Sequence, residues 1–345
     1  MSKRLPNGAR ETVQHGRILL IPPAPEIDWL KAKPEELEIY GLPPQPPASA
    51  GPLAAALWNN LVSKPLELLN SVFPVATTDY RLNRGRLGSG YPGRHESSAN
   101  WSGGCIAATG GNQFTQIWGS WQVPTPNPPP SSGPGDYRCS TWIGIDGLQR
   151  FDFSLPQMGT TQKIVVAPDG TVGAPAVEAW WQWWLRDDPN NGPRIFPNFP
   201  VQPGDNVSCV LTVLAPDLVR FFIKNFTQGG KAAHQDVNVP TFHIPGPIGG
   251  GSIEFLARGA TAEWITERPT KLGSNELYEL PDYGTATFTG CLAVSGTAGV
   301  GLQPQTLSNA RLLKMFKVRD NPHRLVTLSR AKKLDEQTVR TSFSS

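Results

Sequence analysis

A chain of 345 residues with 39% apolar and only 17% charged side chains can bury a sizeable core. No apolar run in it approaches the ~18 residues that a membrane-crossing helix requires, and its 35 Gly and 35 Pro exclude an architecture of long helices. The formal net charge of +3 hides a split, with 11 basic and 9 acidic groups over residues 1–97, 11 and 16 over 98–303, and 9 and 3 thereafter. The basic excess therefore sits in the flanks, and the tail's Lys and Arg are not interleaved with aromatics as a single-strand binder requires. Neither a nucleic acid nor a membrane is an expected partner.

At the N-terminus, Lys3 and Arg4 are followed by Pro6, Gly8 and Arg10, and the apolar cluster Ile18-Leu19-Leu20-Ile21 is too short for a secretory signal. Export by the ordinary route is not expected from these residues. Pro34 at the start and Gly41 past the end predict a short helix over 34–41. A second helix is predicted over 53–62, where Leu53, Leu57, Trp58 and Leu61 form one stripe. Residues 77–98 are rich in Arg, Gly and Ser and read as a linker open to proteolysis. From Asn100 onward the pattern is strand and turn. Residues 114–123 alternate up to Pro124, and a Pro-rich exposed loop is expected over 124–135. Val207, Cys209, Leu211 and Val213 share one face of a strand, and Val219, Phe221 and Ile223 share one face of the next. Many such strands with turns at short intervals predict an all-β sandwich or barrel.

The four cysteines Cys105, Cys139, Cys209 and Cys291 allow three disulfide pairings or none, and their spacing matches no zinc pattern. The five histidines are scattered, with no HExxH, no GxSxG elbow and no P-loop, so neither a metal nor another cofactor is expected. The stretch 246–251 is a flexible turn or hairpin by composition, since it lacks the Lys-Ser/Thr ending of a phosphate cradle. What remains is a set of acids and amides embedded in aromatic, strand-like segments. They are Trp142-Ile143-Gly144-Ile145-Asp146-Gly147, Leu155-Pro156-Gln157-Met158-Gly159, Glu178-Ala179-Trp180-Trp181-Gln182-Trp183-Trp184 and Ala262-Glu263-Trp264-Ile265. A carboxyl in such a setting is either an outward-facing Glu on a half-exposed strand or an acid in an aromatic cleft, where desolvation lets it trade protons.

Taken in order, and together with Asn100-Trp101-Ser102-Gly103-Gly104 and the run from Asp282 through Tyr283 and Gly284 to Phe288, these segments resemble the motifs of the glutamic peptidases called eqolisins. The resemblance implies an antiparallel β-sandwich of concanavalin-like type over 98–345, preceded by a helical and irregular prosegment with its linker over 1–97. It also implies an acid endopeptidase, with Glu263 and Gln157 as the catalytic pair. Glu263 would be the general base and Gln157 the oxyanion donor, with Asp146 and Glu178 positioning them by hydrogen bonds and Trp142 walling the cleft. Two positions depart from the family pattern: Glu178 is one methylene longer than the acid usually found there, and Gln182 stands where a second carboxylate is expected. A polypeptide substrate and a monomer are implied, and a secreted location is what the family leads one to expect. Residues 313–318, 325–327 and 341–343 resemble the final strands of that fold. The rival readings are a lectin-like carbohydrate-binding sandwich using the Trp180 to Trp184 cluster, and a glycosidase using Glu178 and Glu263, which no glycosidase motif supports.

Overall fold

The computed structural model describes residues 27–69, 76–83, 85, 95–130, 132–148, 152–186, 192–239, 256–297, 300–320 and 323–344, and elsewhere only short strand pieces. Helix α1 (Pro34–Ile39) begins where Pro34 needs no hydrogen-bond partner for a missing N–H, and Glu36 Oε2 accepts the Lys33 N–H at 2.7 Å. It stops at Gly41, whose φ of +68° is a left-handed conformation that costs glycine least. Helix α2 (Gly51–Val62) buries Ala54, Trp58, Leu61 and Val62. The Trp58 indole fits indoors because its Nε1–H reaches the Pro43 carbonyl at 3.0 Å.

Among the described residues, the strands that carry the rest of the architecture are β1 (Tyr80–Arg81), β2 (Trp101–Ala107), β3 (Gln113–Gln122), β4 (Gly135–Ile145), β5 (Ser154–Val166), β6 (Ala176–Leu185), β7 (Asn206–Ala215), β8 (Leu218–Asn225), β9 (Lys231–Asn238), β10 (Thr261–Glu267), β11 (Thr270–Lys271), β12 (Thr285–Thr297), β13 (Val300–Gln305), β14 (Arg311–Asp320), β15 (His323–Asp335) and β16 (Thr338–Phe343), with shorter strands at their edges. The first sheet runs β6-β5-β4-β10-β2-β14-β15-β16-β12, with neighbours antiparallel throughout. The second runs β9-β8-β7-β3-β12-β13. Strand β12 belongs to both: Thr285 to Phe288 pair with β16, and Thr289 onward pairs with β3. This is the expected all-β sandwich, its two sheets joined along that strand.

The period-2 pattern decides which side chain goes where. Val207, Cys209, Leu211, Val219, Phe221 and Ile223 turn inward and meet Ile143, Met158, Trp183 and Trp264 of the first sheet. The alternate residues Val210 and Phe222 face out, where water would make them costly. Helices α1 and α2 cover them, so Leu37, Leu42, Trp58 and Leu61 share a second core with Trp118, Val210, Phe222 and Leu292. Two outward cations cap the helix ends. Lys224 Nζ donates to the Leu61 and Ser63 carbonyls at 2.8 Å each, and Arg220 Nη1 donates to the Leu42 carbonyl at 2.9 Å while pairing with Asp236.

The described residues 77–83 pack more tightly than their linker composition predicts. Tyr80 and Leu82 are fully buried, and β1 pairs with β11. Further on, His95–Ser98 runs parallel to Leu312–Met315 of β14. Short polar intervals hid the two buried positions, because burial here comes from the surface beneath and not from a run of apolar neighbours. All four cysteines are free and buried. The turn or hairpin predicted at 246–251 lies outside the described residues. Among the described residues, no helix is long and apolar enough to cross a membrane.

Candidate active site

The outer face of the first sheet carries the site, and strand register builds it. Glu263 on β10 stands opposite Gly144 on β4, Gly144 opposite Gln157 on β5, and Gln157 opposite Gln182 on β6. Side chains opposite one another in a sheet share a face. The four residues therefore form one row, which Cys105 on β2 extends beyond Glu263. A second row holds Gly103, Ile265, Trp142, Gly159 and Trp180, and a third holds Trp101, Glu267, Ser140, Thr161 and Glu178.

Gly144 is the gap in the first row. Glu263 and Gln157 sit two strand spacings apart, roughly 10 Å, with no side chain between them. A Cβ on Gly144 would come within 2.9 Å of the Trp142 ring, 3.0 Å of Leu155 Cδ1 and 3.2 Å of Gln157 Cβ. Gly159 makes room for Trp142 in the same way, since a Cβ there would lie 2.6 Å from Trp142 Cβ. Trp142 lies buried in the middle row, edge-on to Trp101, and its Nε1–H donates to Glu267 Oε2 at 3.1 Å.

Glu263 is fully buried, and no protein group hydrogen-bonds either carboxyl oxygen. Burial pushes its pKa well above the usual carboxylate range; nearby Thr261 offsets part of that rise, and Asp146 and Asp152 add smaller upward pushes. Thr261 stands close by, but its hydroxyl makes no hydrogen bond of ordinary geometry. Gln157 donates through Nε2 to Gln182 Oε1 at 2.9 Å, and its own Oε1 has no protein partner. Gln182 in turn donates to the Leu82 carbonyl at 3.4 Å. Glu263 and Gln157, on either side of Gly144 in this row, thus hold three buried side-chain oxygens without a protein partner, which is uncommon in a folded interior.

Asp146 and Glu178 stand apart from the pair. Asp146 has a φ of +71°, and its carboxylate accepts the backbone N–H groups of Arg258, Gly259 and Ala260 at 2.7, 3.1 and 2.7 Å. It touches neither Glu263 nor Gln157. Instead it clamps the turn that launches β10, and so sets where Glu263 starts. Burial raises its pKa to about 6 against the pull of those three bonds. Glu178 sits in the third row beside Tyr80; burial raises its pKa, and the Tyr80 hydroxyl offsets part of that rise. Gln182 is the one departure whose consequence is plain. A carboxylate there could accept from Gln157 but could not donate to Leu82.

Glu267 is a buried acid that the sequence reading passed over. Its carboxyl takes hydrogen bonds from Trp142, from the Asn100 side chain at 3.3 Å and from the Asn83 N–H at 3.0 Å, while burial raises its pKa to about 8. Four residues beyond Glu263 on one strand, it had to share that face, and this spacing was the available signal. The Trp cluster divides as a strand requires: Trp181 and Trp183 turn into the sandwich, and Trp180 and Trp184 join the cleft side.

Residues 99–341 match the Peptidase A4 family. Aspergillopepsin-2 of Aspergillus niger is 24% identical over 227 residues, spanning 61% of this chain and 70% of that protein. Among solved structures, scytalido-glutamic peptidase with a peptide-based transition state analog aligns at a TM-score of 0.49 and 18% identity, over 71% of this chain and 98% of its own. SCP-B, a member of the eqolisin family of peptidases in complex with the tripeptide Ala-Ile-His, aligns at 0.46 with the same identity and coverage. The chain belongs to the Peptidase A4 family and is a glutamic-type endopeptidase, an acid protease of the eqolisin kind.

Proposed function

We propose that Glu263 and Gln157 carry out the peptide hydrolysis, with the scissile bond lying over Gly144. The observation that carries this reading is the in-register row itself, in which an acid with neither carboxyl oxygen hydrogen-bonded and an amide whose oxygen has no partner stand on either side of a glycine. In its ionised form Glu263 takes a proton from water as the oxygen attacks the carbonyl carbon, and returns it to the leaving amine as the tetrahedral intermediate collapses. Gln157 has a second Nε2–H besides the one held by Gln182, and that donor meets the developing oxyanion. Asp146 fixes the start of the Glu263 strand, Gln182 orients Gln157, and Glu178 and Trp142 shape the cleft.

The N-terminal segment supports a latent form. Residues 79–83 lie against the same outer face of the sheet, on Gln182 and Glu267, and in this closed form burial raises the pKa of Glu263, which disfavours its ionised form. Removing the segment admits water and brings that carboxyl back toward its ordinary range, where it ionises in mildly acidic solution. Processing falls near residues 94–99, on the Arg94 side of the strand His95–Ser98, because a cut within that strand would break its ladder with β14. Digestion of a denatured protein at acid pH, with N-terminal sequencing of the protease itself, tests both statements. Glu263→Gln and Gln157→Ala are expected to abolish cleavage. Retained activity in either variant overturns the catalytic assignment, and an uncut chain that is already active overturns the latency.

A further inference from the structure

Residues 79–83 lie in the cleft as a peptide ligand does, with the side chains of Asp79, Tyr80 and Leu82 turned into it. Asp79 makes a two-pronged pair with the buried guanidinium of Arg138, at 2.5 Å to Nη1 and 2.8 Å to Nη2. Tyr80 is fully buried, and its hydroxyl donates to Thr161 Oγ1 at 2.8 Å; Ser140 Oγ lies 2.7 Å from the same oxygen. The Arg138 guanidinium stands 5.7 Å from the centre of the Tyr80 ring. Arg81 turns away, its Nη2 on the Ser274 carbonyl. Leu82 is fully buried in one apolar cluster with Trp142, Leu155, Trp180 and Trp184. The main chain is held as well: the Leu82 carbonyl accepts from Gln182, the Asn83 N–H donates to Glu267, and Asn83 O accepts from Trp101 Nε1 at 3.1 Å.

Hydroxyls grouped at the closed end of an aromatic cleft serve no apolar side chain. Ser140 and Thr161 face each other across β4 and β5 in the third row, and Glu178 continues that row from β6. They place polar atoms where the ring of Tyr80 ends. We propose that Arg138, Ser140 and Thr161 form a phenol-accepting specificity subsite, with an aliphatic subsite two residues further along the bound chain. The substrate class is polypeptide carrying a Tyr-x-Leu sequence, with an acidic residue just before the Tyr strengthening binding through Arg138. This rests on the reading of the cleft as the peptidase site.

The test uses the full-length chain carrying Tyr80→Ala and Leu82→Ala, which empties both subsites while α1 and α2 keep their separate core. Binding of fluorescent Thr-Asp-Tyr-Arg-Leu-Asn is compared with that of its Phe-for-Tyr and Ala-for-Tyr forms, and longer peptides containing each sequence are assayed for cleavage at acid pH. Tyr should bind about two- to tenfold more tightly than Phe, the worth of one hydrogen bond, and about tenfold or more above Ala through ring burial. Adding Thr161→Val should bring the Tyr-to-Phe ratio near one while leaving Phe-to-Ala discrimination in place, which a general structural defect would not do. Equal binding of Tyr and Phe peptides, an unchanged ratio in Thr161→Val, or no binding of any of the three overturns the subsite. Cleavage without Tyr preference overturns the subsite but leaves the peptidase reading standing, and Tyr-selective binding without cleavage does the reverse. Single full-length variants give a second measure: Tyr80→Phe should raise the peptidase activity of the uncut chain less than Tyr80→Ala does, and equal activities overturn the proposal.

Discussion

Lowering the pH from 7 to 4 should weaken the docking of α1 and α2 through His234. This half-buried histidine of β9 packs against Gly41, so closely that a Cβ on Gly41 would lie 2.0 Å from its Nε2, and its buried Nδ1 has no protein partner. Burial lowers its pKa from 6.5 to about 4, outweighing Asp236 on β9, which favours the charged form, with Arg220 on β8 adding to the lowering. A group with a lowered basic pKa is held neutral by the docked state. Undocking exposes it, so below 6.5 the undocked state takes up the proton first, and docking loses free energy down to about pH 4, where the loss levels off. At about 1.4 kcal/mol per pKa unit, the full loss is about 3 kcal/mol, or a few hundredfold in the docking equilibrium. Hydrogen exchange of the α1 and α2 amides, followed from pH 7 to 4 after correction for intrinsic rates, reads this directly. His234→Gln, which carries no titratable ring, should show a docking equilibrium flatter by that amount. If the variant and the native chain lose protection in parallel, His234 is not the group responsible and the reasoning fails.

Three further outcomes are expected. Gly144→Ala should cost about 1–3 kcal/mol of stability through overpacking against Trp142 and Leu155, seen as a lower urea midpoint, and should depress turnover; a variant of native stability and turnover refutes the role given to the gap. Gln182→Glu keeps the acceptor for Gln157 but removes the donor to the Leu82 carbonyl. The uncut chain should therefore become more active at acid pH, as measured on a fluorogenic peptide, and an unchanged latency refutes this. Asp79 has its pKa lowered by its hydrogen bonds to Arg138, so the pair stabilises the docked segment above the ordinary carboxylate range and stops doing so as pH falls through the lowered value. In Asp79→Asn the acid-triggered part of segment release should shrink, and a release profile identical to that of the native chain counts against the clamp.

Much of the sandwich was legible because alternation is a local property. Val207, Cys209 and Leu211 had to share a face, and so did Val219, Phe221 and Ile223, whatever sheet received them. The four-residue spacing from Glu263 to Glu267 belonged to the same class of signal. Other placements depended on registers that no local pattern encodes. Residues 144, 157, 182 and 263 are scattered over four strands, and a shift of one residue in any of them would turn its side chain to the opposite face. Asp146 illustrates the difference: its motif marks it as important, yet only the folded chain shows that its carboxylate is held by three backbone N–H groups and not by Glu263 or Gln157. Tyr80 and Leu82 are the clearest case of concealment, buried at positions whose neighbours in the chain are Asp79, Arg81 and Asn83.

By itself the sequence determined the strand pattern, the two N-terminal helices and the family motifs that hold Glu263 and Gln157, because side-chain periodicity and motif residues are written along the chain. The tertiary structure decided that Glu263 and Gln157 face each other across a glycine, that α1 and α2 cover an apolar face of the second sheet, and that residues 79–83 close the cleft of the first. Those outcomes depend on cross-strand register and on which surfaces would otherwise meet water, and both are settled only when distant segments come together.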